Sequence, residues 1–243
     1  MSMARGTYQA TGDGRTAASP LLDRLTEPDR ALLLDRAVSR HLAPGERLYL
    51  AGDRARRVHL ITSGLIKLVA RDAEGRETIL CLALTGEVTG DTAAVDRLPQ
   101  PLDAVAATHA DVLGFDADLF VEVLARNAGA VMQLSLTMAE RTRWICETAL
   151  ERTTSEVPAR LAGRLLDLAD ILGHVTDGAV ELELPLGQGD LGRLSGMCRE
   201  SACKTLRRFQ ADGLVAYRGR RLRILRPDAL QRIKCAGKGA SWS

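Results

Sequence analysis

The spacing of apolar and polar residues separates a stretch of short strands from the helical stretches on either side of it. Between residues 42 and 113, short apolar runs alternate with turn residues, often a glycine beside an acidic residue. Such punctuation is typical of an all-β barrel or jelly roll. The predicted strands are 47–50, 58–61, 66–71, 78–83, 104–109 and 111–115.

The residues before the strands predict two simpler segments. Residues 1–18 are rich in Gly, Ser, Thr and Ala and have no periodicity, so we expect a flexible tail. Residues 21–38 carry apolar side chains from Leu22 to Val38 at helical spacing and predict a short helix.

The C-terminal stretch 186–226 has the pattern of a winged helix-turn-helix. Two helical segments are separated at Gly196, where a tight crossing favours a residue that adopts positive φ cheaply. Beyond a turn at Asp212-Gly213, residues 214–217 and 222–225 predict two strands of a wing. A helix over residues 161–172 and a strand over residues 180–184 precede this unit.

Charge concentrates on the same stretch. Residues 186–226 contain ten Lys and Arg against three Asp and Glu, a net charge of +7 in a chain whose total is +2. Such a concentration is the electrostatic footprint of phosphate contact, although a basic run alone is also typical of a solvated surface. Because the charge coincides with a helix-turn-helix, we interpret it as a DNA-binding surface. The residues expected to reach DNA are Gln188, Arg199, Glu200, Ser201, Lys204, Arg207, Arg208, Arg218 and Arg220.

A long helix is predicted between the strands and this module, most clearly over residues 130–152. Its apolar residues recur at steps of three and four, as in a coiled-coil seam. The seam residues are Val131, Leu134, Met138 and Ile145. The alternative is an amphipathic helix that faces its own core. We favour a dimer because helix-turn-helix proteins reach two half-sites, about one DNA turn apart, through two-fold symmetry. Pro158 then marks a hinge.

Composition excludes several classes of protein. The five cysteines and four histidines are scattered along the chain, which argues against a disulfide framework and a metal site and favours a cytoplasmic protein. No apolar run has the length of a membrane span, so we expect no membrane association. Because no catalytic constellation is recognisable, we do not expect an enzyme.

Four sequence motifs together carry a family resemblance. They are Pro44-Gly45-Glu46 with Ala51-Gly52-Asp53, Leu60-Ile61-Thr62-Ser63-Gly64, Val157-Pro158-Ala159-Arg160-Leu161 and Gly196-Met197-Cys198-Arg199-Glu200-Ser201. Over residues 21–226 the chain resembles the CRP/FNR family of bacterial transcription regulators. The resemblance implies an α+β protein with a cyclic-nucleotide-binding-like sensor barrel (19–127), a dimerisation helix (128–156) and a winged helix-turn-helix domain (157–243). It also implies a homodimer on near-palindromic TGTGA-like double-stranded DNA sites, acting with RNA polymerase.

The recognition helix matches the family pattern at two of three positions. The family's Arg-Glu pair corresponds to Arg199 and Glu200, which suit a guanine edge and a cytosine amino group respectively. The family's following Arg is replaced by Lys204, a point charge without the planar fork of a guanidinium. We therefore expect relaxed specificity at the base that faces Lys204.

The ligand pocket implied by the resemblance is degenerate. Members that bind cyclic AMP use a Gly-Glu pair for the ribose, an Arg-Ser pair for the phosphate and a Thr-Ser pair for the base. The corresponding residues are Gly90-Asp91, Pro101-Leu102 and Ile145-Cys146, with Arg97 nearby as a substitute only after a register shift. Because a buried anion without donors is costly, we expect no certain cofactor and poor binding of cyclic AMP.

The sequence also bears on sensing through an iron–sulfur cluster, haem or cysteine oxidation. The family's iron–sulfur branch uses N-terminal cysteines, and residues 1–80 contain none. No histidine has the context of a haem ligand. Cys198 begins the recognition helix, where a thiolate is favoured, and Cys146 is a second redox candidate; the alternative is that both are small buried hydrophobic residues. A ligand-controlled or redox-controlled sensor therefore stays open beside the regulator hypothesis.

Overall fold

The protein forms two compact units that divide within one long helix, between Trp144 and Ile145. The structure is a computed structural model that describes residues 18–176, 179–184 and 186–236. Apart from Ala18, the predicted flexible tail lies outside the described residues.

The N-terminal unit is built on two antiparallel sheets. Its strands are β1 (Val38–Leu42), β2 (Arg47–Tyr49), β3 (Arg57–Ser63), β4 (Leu65–Arg71), β5 (Glu77–Leu84), β6 (Val88–Thr89), β7 (Asp103–Ala106) and β8 (Ala110–Asp116). One sheet has the order β1-β8-β3-β6 and the other β2-β7-β4-β5, with all neighbours antiparallel. This arrangement confirms the predicted N-terminal β domain.

Four helices complete this part of the chain: α1 (Glu27–Asp35), α2 (Asp91–Asp96), α3 (Ala117–Arg126) and α4 (Ala128–Thr154). Asp116 caps α3 by accepting hydrogen bonds from the backbone N–H groups of Asp118 and Leu119, which compensates two of the helix's unpaired donors. Phe115 and Phe120 stack in the core with ring centroids 6.3 Å apart, joined there by Leu60 of β3. No single helix in the described part of the chain has the length and apolar composition to cross a membrane.

The predicted N-terminal helix is wrong at its end. It divides into a short 3-10 turn at Leu22–Arg24 and the helix α1, and Val38 begins β1 instead. Val38 pairs with Gly114 of β8. Four of the five residues of β1 are exposed, so this strand lacks the alternation that would have indicated it.

The C-terminal unit begins within α4 and continues with four helices and a four-stranded sheet. These elements are α5 (Val157–Leu172), β9 (His174–Thr176), β10 (Ala179–Glu183), α6 (Gln188–Leu194), α7 (Arg199–Ala211), β11 (Val215–Arg218), β12 (Arg221–Ile224) and α8 (Pro227–Ala236). The sheet order is β11-β12-β10-β9. The predicted helix-turn-helix and wing are present, with each wing strand displaced by one residue. The sequence did not predict β9 or α8.

The predicted dimer seam on α4 needs correction. Leu134 is 5% exposed in the core of the N-terminal unit, and Met138 packs against the same core, while Ile145 is half-buried. The predicted apolar stripe therefore faces the protein's own interior, except for the exposed Val131. The large exposed residues of this helix on the opposite face are Met132, Leu136 and Leu150, which are 63%, 50% and 62% exposed.

Candidate DNA interface and ligand pocket

Helix α7 separates a buried face from a charged, exposed one. Ala202, Thr205, Leu206 and Phe209 are buried. Five predicted DNA-binding residues are exposed on this helix: Arg199, Glu200, Lys204, Arg207 and Arg208. Burial of the apolar face fixes the helix in the domain, so that the charged side chains extend outward together. Such a surface suits the major groove, which admits an α-helix.

The first turn of α7 is held by a thiol cap. The Sγ atom of Cys198 accepts a hydrogen bond from the backbone N–H of Ser201, with the two atoms 3.5 Å apart. The Ser201 hydroxyl oxygen lies 3.1 Å from the same sulfur. Cys198 is therefore the N-cap of α7, and this cap fixes the position of Arg199 and Glu200 directly after it.

The turn between α6 and α7 depends on Gly196. Its φ of +64° confirms the positive φ predicted from sequence. A Cβ atom at this position would lie 2.6 Å from Nε of Arg152, a distance that real contacts do not tolerate. The backbone conformation therefore favours glycine here, and a larger residue would also displace the Arg152 side chain.

The wing is a tight basic hairpin. Arg218 and Arg221 pair across β11 and β12, and Gly219 has a φ of +63° in the turn between them. Arg218 and Arg220 are exposed as predicted. Arg223 instead forms an ion pair with Glu181 at 3.0 Å, so its charge is partly compensated within the sheet.

Two of the predicted DNA-binding residues also have partners within the domain. Gln188 is half-buried, and its side-chain oxygen accepts a hydrogen bond from the Cys203 thiol at 2.9 Å. Arg208 lies 3.7 Å from Asp212, an exposed pair one helical turn away. Such an exposed pair is weak, so it leaves Arg208 able to rotate toward a phosphate.

In the Gly-acid pair of the predicted pocket, the acid Asp91 forms an ion pair with Arg141 of the same unit. Gly90 has a φ of +81° immediately before α2, and Asp91 is buried at the start of that helix. Arg141 of α4 donates to both carboxylate oxygens of Asp91, at 2.9 and 3.0 Å. Arg141 also donates to the carbonyl oxygen of Val88. The carboxylate is thus already neutralised by the guanidinium, whose Nη1 contacts both of its oxygens.

The positions of the phosphate-binding pair provide no cationic side chain. Pro101 is exposed and Leu102 is half-buried. Arg97 forms an ion pair with Asp118 of α3, and both side chains are exposed. In this structure the guanidinium of Arg97 is therefore paired at the surface, and such an exposed pair is weak. On α4, Ile145 is half-buried and Cys146 is exposed.

Comparison with known proteins identifies both halves of the chain. Residues 39–127 match the cyclic nucleotide-binding domain, and residues 159–233 match the Crp-like helix-turn-helix domain. The chain belongs to the CRP/FNR family of transcription regulators.

Individual members of the family are distant in sequence. A CRP-like cAMP-activated global transcriptional regulator of Mycobacterium tuberculosis is 26% identical over 201 residues, covering 81% of this chain and 90% of the relative. The fumarate and nitrate reduction regulatory protein of Yersinia pestis is 24% identical, covering 82% of this chain and 80% of the relative. The solved structure of FixK2 from Bradyrhizobium japonicum has the same fold, with a TM-score of 0.73 at 19% identity, covering 85% of this chain and 99% of that one.

Sequence reasoning missed the polar residues that surround Gly90. A Cβ at Gly90 would lie 3.2 Å from Nε2 of Gln100 and 3.6 Å from Cε1 of Tyr49. The Tyr49 hydroxyl forms a 2.5 Å hydrogen bond with the Thr89 hydroxyl. The His59 ring lies near Tyr49, with centroids 6.0 Å apart and the ring planes tilted by 32°. Gln100 directly precedes Pro101 and Leu102 in the sequence, and this position could have marked it as a residue of the pocket.

We expect His59 to make the stability of the N-terminal unit depend on pH. Burial, together with the charges of Arg40 and Arg57, lowers the pKa of His59 from 6.5 to about 4, and its Nδ1 has no hydrogen-bond partner. In the unfolded chain, His59 binds a proton below about pH 6.5, whereas the folded protein binds it only near pH 4. Acidification through this window therefore favours unfolding.

We expect the free energy of unfolding to fall between pH 7 and pH 4.5 by an amount on the order of 1–3 kcal/mol from this residue. Urea unfolding midpoints across this range measure the effect. His59→Leu should flatten the pH dependence, while His174→Gln, at an exposed position, should leave it unchanged. An equal slope in wild type and His59→Leu would show that other groups cause the loss.

The two candidate redox cysteines, Cys146 and Cys198, are not buried hydrophobic residues. Cys198 and Cys146 are both exposed, whereas Cys81 is buried. Hydrogen bonds from the Ser201 side chain and backbone lower the pKa of the Cys198 thiol. Within the described ranges, His, Cys, Asp and Glu side chains form no group of three or more that could hold a metal ion.

Proposed function

We propose that this protein is a sequence-specific transcription regulator that binds near-palindromic TGTGA-like sites as a homodimer and does not strictly require cyclic AMP. The observation that carries the proposal is the exposed basic face of α7, which begins with Arg199 and Glu200. In this cytoplasmic role the bound dimer would act on RNA polymerase at nearby promoters.

Base recognition is assigned to the first turns of α7. Arg199 can donate two hydrogen bonds to guanine O6 and N7, and Glu200 can accept one from the cytosine N4 amino group. Lys204 lies one turn further along the same exposed face and provides a single ammonium contact. Arg218 and Arg220 of the wing would contact phosphates, which hold the protein in register without reading sequence.

Dimerisation is assigned to the exposed face of α4. Met132, Leu136, Ala139, Arg143, Cys146 and Leu150 follow each other at alternating steps of four and three, as in a coiled-coil seam. Exposed methionine and leucine side chains at this spacing favour a second copy of the same helix as their partner. Glu140 and Glu147 are exposed on the flank of this face, where acids of a second copy would neutralise Arg143.

The side chains at the phosphate positions of the pocket support independence from cyclic AMP. A cyclic phosphate buried beside Pro101 and Leu102 would receive no side-chain hydrogen bond from either residue, which is costly for an anion. Asp91 is already paired with Arg141. The protein would therefore adopt its DNA-binding form without this nucleotide.

Selection from a pool of random duplexes tests the proposed function. The full-length protein should enrich a two-fold symmetric motif with half-sites about one helical turn apart, and the base opposite Lys204 should be the least conserved within each half-site. Enrichment of single half-sites, or of no motif, would contradict the proposal.

A redox sensor is a second candidate, supported by the thiol cap of the recognition helix. Cys198 is exposed, has a lowered pKa and precedes Arg199 directly. A thiolate is the form that oxidants attack. Oxidation to a sulfenic acid or a mixed disulfide with an added thiol would replace the cap and place bulk against the DNA.

We expect Cys198→Ser to bind DNA with near wild-type affinity, because serine is a good N-cap, and to lose sensitivity to oxidant. Fluorescence anisotropy on a specific duplex, before and after hydrogen peroxide with and without dithiothreitol, measures both properties. Cys235→Ser, at another exposed thiol, should keep the wild-type response. If Cys198→Ser is inhibited by peroxide as strongly as wild type, the redox hypothesis is wrong.

A further inference from the structure

Four residues around the helix-turn-helix turn carry buried polar atoms without hydrogen-bond partners. Arg152 contributes Nε and Nη2, Arg160 contributes Nε, and Ser155 and Ser195 contribute their hydroxyl oxygens. Buried polar groups are nearly always satisfied in native proteins. A concentration of such atoms at one place calls for a further hydrogen-bond partner, either ordered water or an ion.

Arg152 and Arg160 meet at Gly196, within the C-terminal unit, and Ser195 directly precedes this glycine. The Arg152 side chain packs so closely on Gly196 that a Cβ would contact its Nε at 2.6 Å and its Cγ at 2.9 Å. Arg160 donates from Nη2 to the Gly196 carbonyl oxygen at 3.4 Å. Its Nη1 donates to the carbonyl oxygens of Arg152 and Ser155, at 3.2 and 3.1 Å. Two guanidinium groups thus lie against the same turn.

The two cations have no acidic partner among the described residues. The nearby acids Glu151 and Asp167 form ion pairs with Arg164 instead. Burial, followed by the charges of Arg160 and Arg164, lowers the pKa of Arg152. A partly buried pair of like charges is unfavourable unless an anion compensates it.

The surrounding groups define the chemistry of that anion. Guanidinium groups match the geometry of tetrahedral oxyanions and bind them through several N–H donors. Ser155 is bonded to Arg160 through its carbonyl oxygen and Ser195 adjoins Gly196, so their unpaired hydroxyls are candidates for two further donors. Helix α5 begins two residues after Ser155, and its N-terminus receives no side-chain cap, so its dipole also favours negative charge.

We propose that Arg152 and Arg160 bind one small oxyanion, such as phosphate or sulfate, between the end of α4, the start of α5 and the Gly196 turn. The anion neutralises the two guanidinium groups and satisfies the serine hydroxyls. It therefore stabilises the joint that connects the long helix to the recognition helix, independently of which DNA sequence the protein reads.

Calorimetric unfolding of the full-length protein tests this site. Wild type is compared in sodium phosphate and in sodium chloride of equal ionic strength, and phosphate binding is measured directly by isothermal titration. Arg152→Met keeps most of the packing of the side chain and removes its charge. Arg54→Met, at an exposed arginine of the N-terminal unit, is the matched control for general salt effects on the protein surface.

We expect saturating phosphate to raise the unfolding temperature of wild type and Arg54→Met by ~3 °C or more, and to leave only a small non-saturating rise in Arg152→Met. Equal responses of wild type and Arg152→Met, or no heat of phosphate binding to wild type, would overturn the proposal. It would also be overturned if phosphate has no effect while Arg152→Met weakens binding to any duplex, because the DNA backbone would then be the partner of this cation.

Discussion

Replacing Leu136 by glutamate is expected to dissociate the proposed homodimer and to weaken binding to a two-half-site duplex by at least about 100-fold. Leu136 is half exposed on the face of α4 opposite the core. In a dimer this face would be desolvated, and two facing carboxylates would be both buried and mutually repulsive. Loss of the second recognition helix then removes the gain in affinity that comes from joining two binding modules.

Sedimentation equilibrium gives the oligomeric state, and fluorescence anisotropy gives the DNA affinity of the same samples. The matched control is Thr142→Glu, which adds the same charge at an exposed position of the same helix but off the proposed seam. We expect this control to stay dimeric and to bind DNA like wild type. A dimeric Leu136→Glu with unchanged affinity would contradict the assignment of the dimer face.

The second large effect is expected at the recognition helix. Arg199→Ala should weaken binding to the specific site by about 1–3 kcal/mol, while binding to random DNA changes much less. Removal of the guanidinium leaves guanine O6 and N7 without their bidentate donor, whereas phosphate contacts made elsewhere persist. Competition titrations with specific and random duplexes at one salt concentration separate the two effects.

The wing provides a matched control for Arg199. Arg220 is exposed in the hairpin turn, and Arg220→Ala should lower affinity for specific and random DNA equally and reduce the salt dependence by about one phosphate contact. If Arg199→Ala also loses the same factor on both duplexes, Arg199 contacts the backbone and does not read a base.

The DNA-binding module could be predicted from sequence because its signals are local. Gly196 needed positive φ at a turn between two short helices, and the structure gives it +64°. Cys198 was placed at the start of the recognition helix, and its thiol there accepts the Ser201 N–H. Both features depend on residues only a few positions apart, so periodicity and turn chemistry are sufficient to find them.

The long helix could be predicted as a helix, but its faces could not be assigned from sequence. The most apolar stripe, which includes Leu134 and Met138, packs on the protein's own core. The face that is left for a partner contains Ala139 and Arg143 and is less apolar by composition. Because a core and a dimer interface both select apolar residues at the same spacing, the pattern does not distinguish them.

The arrangement of residues in the pocket was the feature that the sequence predicted least well. Tyr49, His59 and Gln100 come from separate parts of the chain, and their proximity follows from long-range strand pairing such as His59 with Thr89. The ion pair between Asp91 and Arg141 joins residues fifty positions apart. The family resemblance located the changed phosphate positions, but only the fold shows that Arg97 pairs with Asp118.

The most direct test of the proposed function is a binding titration of the full-length protein on a palindromic TGTGA-type duplex, at fixed salt, with and without saturating cyclic AMP. We expect tight binding to this duplex and a much weaker affinity for a scrambled duplex. Adding cyclic AMP should leave both affinities unchanged. Binding that appears only with cyclic AMP would contradict it, because the pocket beside Pro101 and Leu102 would then hold the cyclic phosphate after all.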